Sequence, residues 1–119
     1  MSEKANDDAS VLIVDDDEEI RHVLRLLCET SGLNVVGEAA NGVEAVTIAL
    51  RERPRFVILD YMMPRLDGEG TAEILRSISP ESKIVAFSAM LETQPPWADA
   101  FLNKERVGEM APLLKSFIR

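Results

Sequence analysis

The sequence predicts an α/β fold: a doubly wound, five-stranded parallel sheet with helices on both faces. Two observations carry that prediction. Runs such as "SVLIV" (10–14), "RFVILD" (55–60) and "KIVAFSA" (83–89) are apolar at consecutive positions, the pattern of strands covered on both sides. Segments with apolar residues at helical spacing stand between them, and alternation of strand and helix implies right-handed parallel crossovers.

From the amino end, residues 1–9 are polar and read as a disordered arm ahead of one domain over 10–119. The strand at 10–14 feeds a helix in which Ile20, Val23, Leu24, Leu27 and Cys28 recur on one face, with Gly32 as a left-handed stop after Ser31. "LNVVGEA" (33–39) is the second strand. "NGVEAVTIALRER" (41–53) is a helix with Val43, Ala45, Val46, Ala49 and Leu50 turned inward, ended by Pro54. The third strand, 55–60, leads to a helix over 68–78, its first turn loosened by Gly68 and Gly70. The fourth strand is 83–89, and "DAFLN" (99–103) is a short fifth. Met110, Leu113, Leu114, Phe117 and Ile118 form the last stripe. Pro112 fits that helix only if it starts near Gly108 or Glu109, because first-turn amides have no intrahelical partner.

One connection is too short for the pattern. Only "MLETQPPWA" (90–98) separates the fourth strand from the fifth. A crossover with its helix takes at least about 10–12 residues, and Pro95-Pro96 disfavours helix just ahead of it. A shortened or missing fourth helix is expected, with a coil pinned by Trp97 in its place.

Composition narrows the function. The chain has 119 residues, 46% hydrophobic and 29% charged, which suits one globular domain with a real core. No apolar run approaches the roughly 20 residues that cross a bilayer, and the polar start is not a signal peptide. The single cysteine, Cys28, lies among leucines, which fits a reducing cytoplasm and a small buried side chain. A net charge of -8 repels phosphate backbones, so the expected partner is a basic surface or a divalent cation, not nucleic acid or membrane.

In a parallel sheet the carboxyl ends of the strands share one edge, where ligands bind. Here those ends carry Asp15-Asp16-Asp17, Asp60 and Ser88, and Lys104 follows the fifth strand. Carboxylates, a hydroxyl and an ammonium in one crevice suit a hard divalent cation and a phosphoryl group. Oxygen ligands select Mg²⁺ or Mn²⁺ over zinc. Without a cation, two carboxylates about 4 Å apart repel by roughly 4 kcal/mol at an effective dielectric near 20. Asp17, followed by Glu18 and Glu19, reads instead as the cap of the first helix, and His22 as a solvent-facing residue.

"VLIVDDDEEIR", "VILDYMMPRLDGEG", "IVAFSA" and "AFLNK" together resemble the motifs of response-regulator receiver domains of two-component signalling, over nearly the whole chain after residue 9. The resemblance implies a flavodoxin-like sheet in the order 2-1-3-4-5. It implies Asp60 as the phosphoacceptor, with Asp15, Asp16, Asp60 and the Met62 backbone carbonyl holding Mg²⁺, Asp15 through water. Ser88 would hydrogen-bond the phosphoryl group, and Lys104 would pair with it, or with Asp60 in the empty site. Phe101 matches the switch aromatic, and Pro64 and Gly68 match the loop shaping the site. The implied partners are a histidine kinase or histidine phosphotransfer protein, and an effector domain or downstream protein. The implied action is phosphotransfer to the protein's own aspartate, not enzymatic turnover.

The chain departs from that family at two places. Glu105 follows Lys104 where proline is usual, so a trans bond is expected there. The short 90–98 connection cannot build the usual fourth-helix output face, which moves the expected output to a face around Trp97 and Phe101 or to the first helix. Met62 and Met90 stand where the family tunes self-dephosphorylation, and both are apolar, so slow hydrolysis is expected. Two rivals stand beside this reading. Asp15-x-Asp17 fits the nucleophile and acid/base pair of a haloacid-dehalogenase-type phosphatase, though Glu19 stands where threonine is expected. A degenerate receiver that only binds partners is the other.

Overall fold

The computed structural model describes residues 8–63, 67–90 and 92–118. Of the expected amino-terminal arm, residues 1–7 lie outside the described residues, as does Pro64. Asp8 and Ala9 form a turn, and the Ala9 carbonyl accepts a hydrogen bond from Asn34 N at 2.8 Å.

Five strands, β1 (Ser10–Val14), β2 (Asn34–Ala39), β3 (Phe56–Asp60), β4 (Lys83–Ser88) and β5 (Ala100–Asn103), form one sheet in the order β2-β1-β3-β4-β5. Every neighbouring pair is parallel. Helices α1 (Glu18–Thr30), α2 (Gly42–Glu52) and α3 (Gly68–Ile78) fill the first three crossovers, and α4 (Met110–Lys115) closes the chain. Among the described residues, no helix is long and apolar enough to cross a membrane.

The central strands are continuously apolar because both of their faces are covered. Val11, Ile13, Ile58 and Phe87 point to one layer, where they meet Leu24 and Cys28 of α1 and Met110 and Leu114 of α4. Leu12, Val14, Val57 and Leu59 point to the other, against Ala45 and Ala49 of α2 and Ala72 and Leu75 of α3. Cys28 is buried, and burial pushes its thiol up to about 11, so it is a packing residue. Gly32, at φ 86°, ends α1 as expected: Gly32 N donates to Glu29 O and Leu33 N to Cys28 O.

Three residues of the expected apolar stripes are exposed instead, Val23 of α1 at 44% among them. Val43 and Leu50 of α2 are 53% and 52% exposed. At about 100° per residue, Ala45, Ile48 and Ala49 make the buried stripe, and Val43 and Leu50 fall on the far side of the helix. α4 starts at Met110, two residues past the earliest expected start, because a 3₁₀ helix over Lys104–Glu109 precedes it. Pro112 sits in the first turn of α4, where its missing N–H costs nothing.

Among the described residues, the connection from β4 to β5 contains no helix. Trp97 fixes it. Its ring stacks on Tyr61 at 6.1 Å between centroids and 6° between planes, and it packs against the α2/α3 layer. Arg76 of α3 donates to Trp97 O at 3.0 Å and to Asp99 Oδ2 at 2.9 Å, and Asp99 Oδ2 also accepts from Ile84 N at 2.8 Å. One tryptophan and one arginine thus do the anchoring that a helix would otherwise do. Trp97→Ala is expected to lower unfolding stability by about 2 kcal/mol, since the ring is only partly buried, whereas Leu50→Ala should stay within about 0.5 kcal/mol. Urea midpoints of the two variants check both values.

Candidate functional site

Register places the site. Val14 pairs with Leu59, so the next residues, Asp15 and Asp60, leave the sheet side by side. Asp60 pairs with Phe87 and Ser88 with Asn103, which sets the Ser88 hydroxyl and then Lys104 along the same edge. The two central acids are buried, Asp15 at 0% and Asp60 at 4% exposure, while Asp16 is open to solvent.

Every polar group of Asp15 is engaged. Its N–H donates to Ala39 O at 3.0 Å, and its carbonyl accepts from Arg21 Nη1 at 2.7 Å. Oδ1 accepts from Asp17 N at 2.9 Å. The Lys104 ammonium faces the buried Oδ2 at 2.7 Å and forms an ion pair with it. Lys104 Nζ lies farther from Asp60 Oδ2, at 3.5 Å, and rests 5.7 Å above the Phe87 ring. The nearer partner of Lys104 is therefore Asp15, ahead of Asp60. Asp60 Oδ1 accepts from Met62 N at 3.3 Å.

The electrostatics follow from that spacing. Burial, and then the charge of Asp15, push the Asp60 carboxyl up to about 6, against the opposing pull of Lys104 and Met62 N–H. Burial alone would lower the Lys104 ammonium, but Asp15 and Asp60 overcome it and hold it above its ordinary value. Negative charge is thus under-compensated. Asp15, Asp16 and Asp60 each offer a carboxylate oxygen, all within 4.8 Å of one another, a grouping that can hold a metal ion. Hard oxygen donors with unbalanced charge fit a small divalent cation.

The surrounding residues sort clearly. Ser88 is buried at the strand end, and its hydroxyl accepts from Met90 N at 3.1 Å. Met62 and Met90 are both exposed beside the site. Gly68 is demanded by space: a Cβ there would lie 2.7 Å from Asp60 O and 2.8 Å from Tyr61 Cα. Its N–H donates to Tyr61 O at 3.0 Å, tying the start of α3 to the residue after Asp60. Phe101 is half-buried and lines a groove with Arg106, Pro112 and Leu113. His22 is exposed, and no peptide bond among the described residues is cis, Lys104–Glu105 included. Asp17 caps α1 through Glu19 N and Ile20 N, so its carboxylate serves the helix and not the acid/base role of a phosphatase. Sequence reasoning passed over Arg21, since an arginine on a helix with polar neighbours reads as a solvated charge.

The family model of the response regulator receiver domain matches residues 11–105. The chain is a response-regulator receiver domain. It is 36% identical over 100 residues to the transcription regulator BvgA of Bordetella pertussis, covering 82% of this chain and 46% of that one. It is 37% identical over 112 residues to protein-glutamate methylesterase/protein-glutamine glutaminase 4 of Myxococcus xanthus, covering 92% of this chain and 30% of that one. The receiver spans less than half the length of these curated relatives. Among solved structures, chemotaxis protein CheY4 of Vibrio cholerae matches with a TM-score of 0.81 and 26% identity, over 92% of this chain and 98% of that one. Receivers of this family are in general switches and not turnover enzymes.

Asp60 gives the receiver a pH signature. The folded protein takes up the Asp60 proton near pH 6, against an ordinary value of 3.8. Between those values the folded state holds a proton that the unfolded chain has released, so stability from this group is lost as pH rises through the window. In metal-free buffer Asp60→Asn should match the unaltered protein near pH 4 and exceed it by about 2 kcal/mol at pH 7. Urea unfolding at the two pH values reads the difference. A gap that does not widen with pH would rule out the raised Asp60.

Proposed function

We propose that this receiver accepts a phosphoryl group on Asp60 from a histidine kinase or histidine phosphotransfer protein and acts as a cytoplasmic conformational switch. The observation that carries the reading is the Lys104 ammonium held between Asp15 and Asp60 at the carboxyl edge of the sheet. In the proposed reaction an Asp60 carboxylate oxygen attacks phosphorus, the bond from phosphorus to the donor imidazole nitrogen breaks, and its electron pair leaves with the imidazole. The product is an acyl phosphate. Lys104 pairs with the new phosphoryl oxygens, and the Ser88 hydroxyl donates to one of them. Asp15, Asp16, Asp60 and the Met62 carbonyl would hold Mg²⁺, or Mn²⁺, which when bound neutralises phosphoryl charge. The extra negative charge then draws Ser88 and β4 inward, with Phe101 as the aromatic that follows. An effector domain or downstream protein reads the change on the face around Trp97 and Phe101 or on α1.

Incubation with Mg²⁺ and a small phosphodonor should add about 80 Da, the mass of one HPO₃, at Asp60. Mass spectrometry locates the adduct, and Asp60→Asn should lose it. An adduct that survives in that variant sinks the assignment, and many turnovers on a phosphoester would revive the phosphatase. Met62 and Met90 cannot orient a water by hydrogen bonding as a polar residue does. The phosphorylated protein should therefore persist for many minutes or longer in a quench-and-count time course. A half-life of seconds contradicts it.

A further inference from the structure

Arg21 is committed twice, and neither commitment is explained by packing. Its Nε pairs with Glu38 Oε1 at 3.2 Å, and its Nη1 donates to the Asp15 carbonyl at 2.7 Å. Glu38 is shared, since Arg25 Nε reaches its other oxygen at 2.5 Å. Burial opposes the charge on Glu38, but Arg25 and then Arg21 hold the carboxyl below its ordinary range. The Arg21 side chain is largely enclosed, at 15% exposure, and its guanidinium is fixed from β2.

The consequence falls on the peptide between Asp15 and Asp16. That peptide leaves the end of β1, and its carbonyl is fixed by Arg21. Asp15 itself is locked by Ala39 O, Asp17 N and Lys104. Asp16 is exposed, so the direction of its side chain depends on the peptide before it. We infer that Arg21 is a positioning residue for divalent-cation binding: anchored by Glu38, it orients the Asp15–Asp16 peptide so that Asp16 and Asp60 face one ion. This rests on the metal reading proposed above.

Charge and position make opposite demands here, which makes the inference testable. Arg21 is a cation beside a cation site, so deleting its charge should tighten ion binding by Coulomb's law alone. Loss of positioning should weaken it, and loss of partners that orient ligating carboxylates typically costs tenfold or more. The experiment titrates the whole chain with Mn²⁺ alone and follows free Mn²⁺ by electron paramagnetic resonance. Arg21→Met should raise the Kd about tenfold. Arg25→Met loses the same Glu38 partner and never touches Asp15, so its Kd should stay within about twofold even where its urea midpoint falls as far. Arg21→Lys keeps the charge but lacks the fork that holds Glu38 and the Asp15 carbonyl together, so it too should bind more weakly, and it carries the test if Arg21→Met does not fold.

An unchanged or tighter Kd in Arg21→Met, or in Arg21→Lys where that variant stands in, overturns the inference while Mn²⁺ binding by the unaltered protein keeps the metal reading. Equal weakening in Arg25→Met overturns it as a general effect of the charge network. Absence of Mn²⁺ binding in the unaltered protein, or binding indifferent to Asp60→Asn, takes down both.

Discussion

Two carboxylates buried at one corner of a sheet repel each other unless positive charge reaches them, and much of this molecule is arranged to bring it there. Asp15 and Asp60 leave adjacent strands side by side. The cation comes from the far side of the sheet, as Lys104 just after β5, two strands from β3 and three from β1. Only a parallel sheet with all carboxyl ends on one edge lets residues so far apart in sequence meet in this way. The apolar interior on both faces fixes the strands, and the strands fix the charges. The site thus stands on rigid elements.

The connection from β4 to β5 carries more responsibility than its length suggests. It begins just after Ser88 and ends at the strand that delivers Lys104, so both of its ends belong to the site. A helix there would pack on the sheet independently of the acids. Here the anchor is Trp97 stacked on Tyr61, the residue after Asp60, with Arg76 and Asp99 bracing the entry to β5. The segment between the hydroxyl and the lysine therefore rests directly on the neighbour of the buried acid.

Sequence made the sheet legible because strands covered on both faces must be apolar at every position, and few other structures ask for that. The acids were legible for a related reason: chain topology alone brings the ends of parallel strands together. The late start of α4 was legible from Pro112. The inward face of α2 was not, because Val43 and Leu50 are as apolar as the residues that are buried, and only the small Ala45 and Ala49 allow the helix close to the sheet. Arg21 was hidden for a different reason. Its roles depend on Glu38 from β2 and on a backbone carbonyl, and neither leaves a mark in spacing. The preference of Lys104 for Asp15 over Asp60 is likewise a matter of side-chain reach.

That last preference matters for reactivity. A lysine centred on Asp60 would lower its proton affinity and leave a less basic carboxylate. Lys104 stands instead at 2.7 Å from Asp15 and 3.5 Å from Asp60. Asp15 is neutralised first, and Asp60 keeps a carboxylate that is basic for its type, with a value near 6. A carboxylate of raised basicity is what the proposed phosphoacceptor role asks of Asp60. The cost falls on the stability of the fold, and a cation drawn to the same oxygens would return it by mass action. In the proposed function, reactivity at Asp60 and affinity for an ion are two consequences of one incomplete neutralisation.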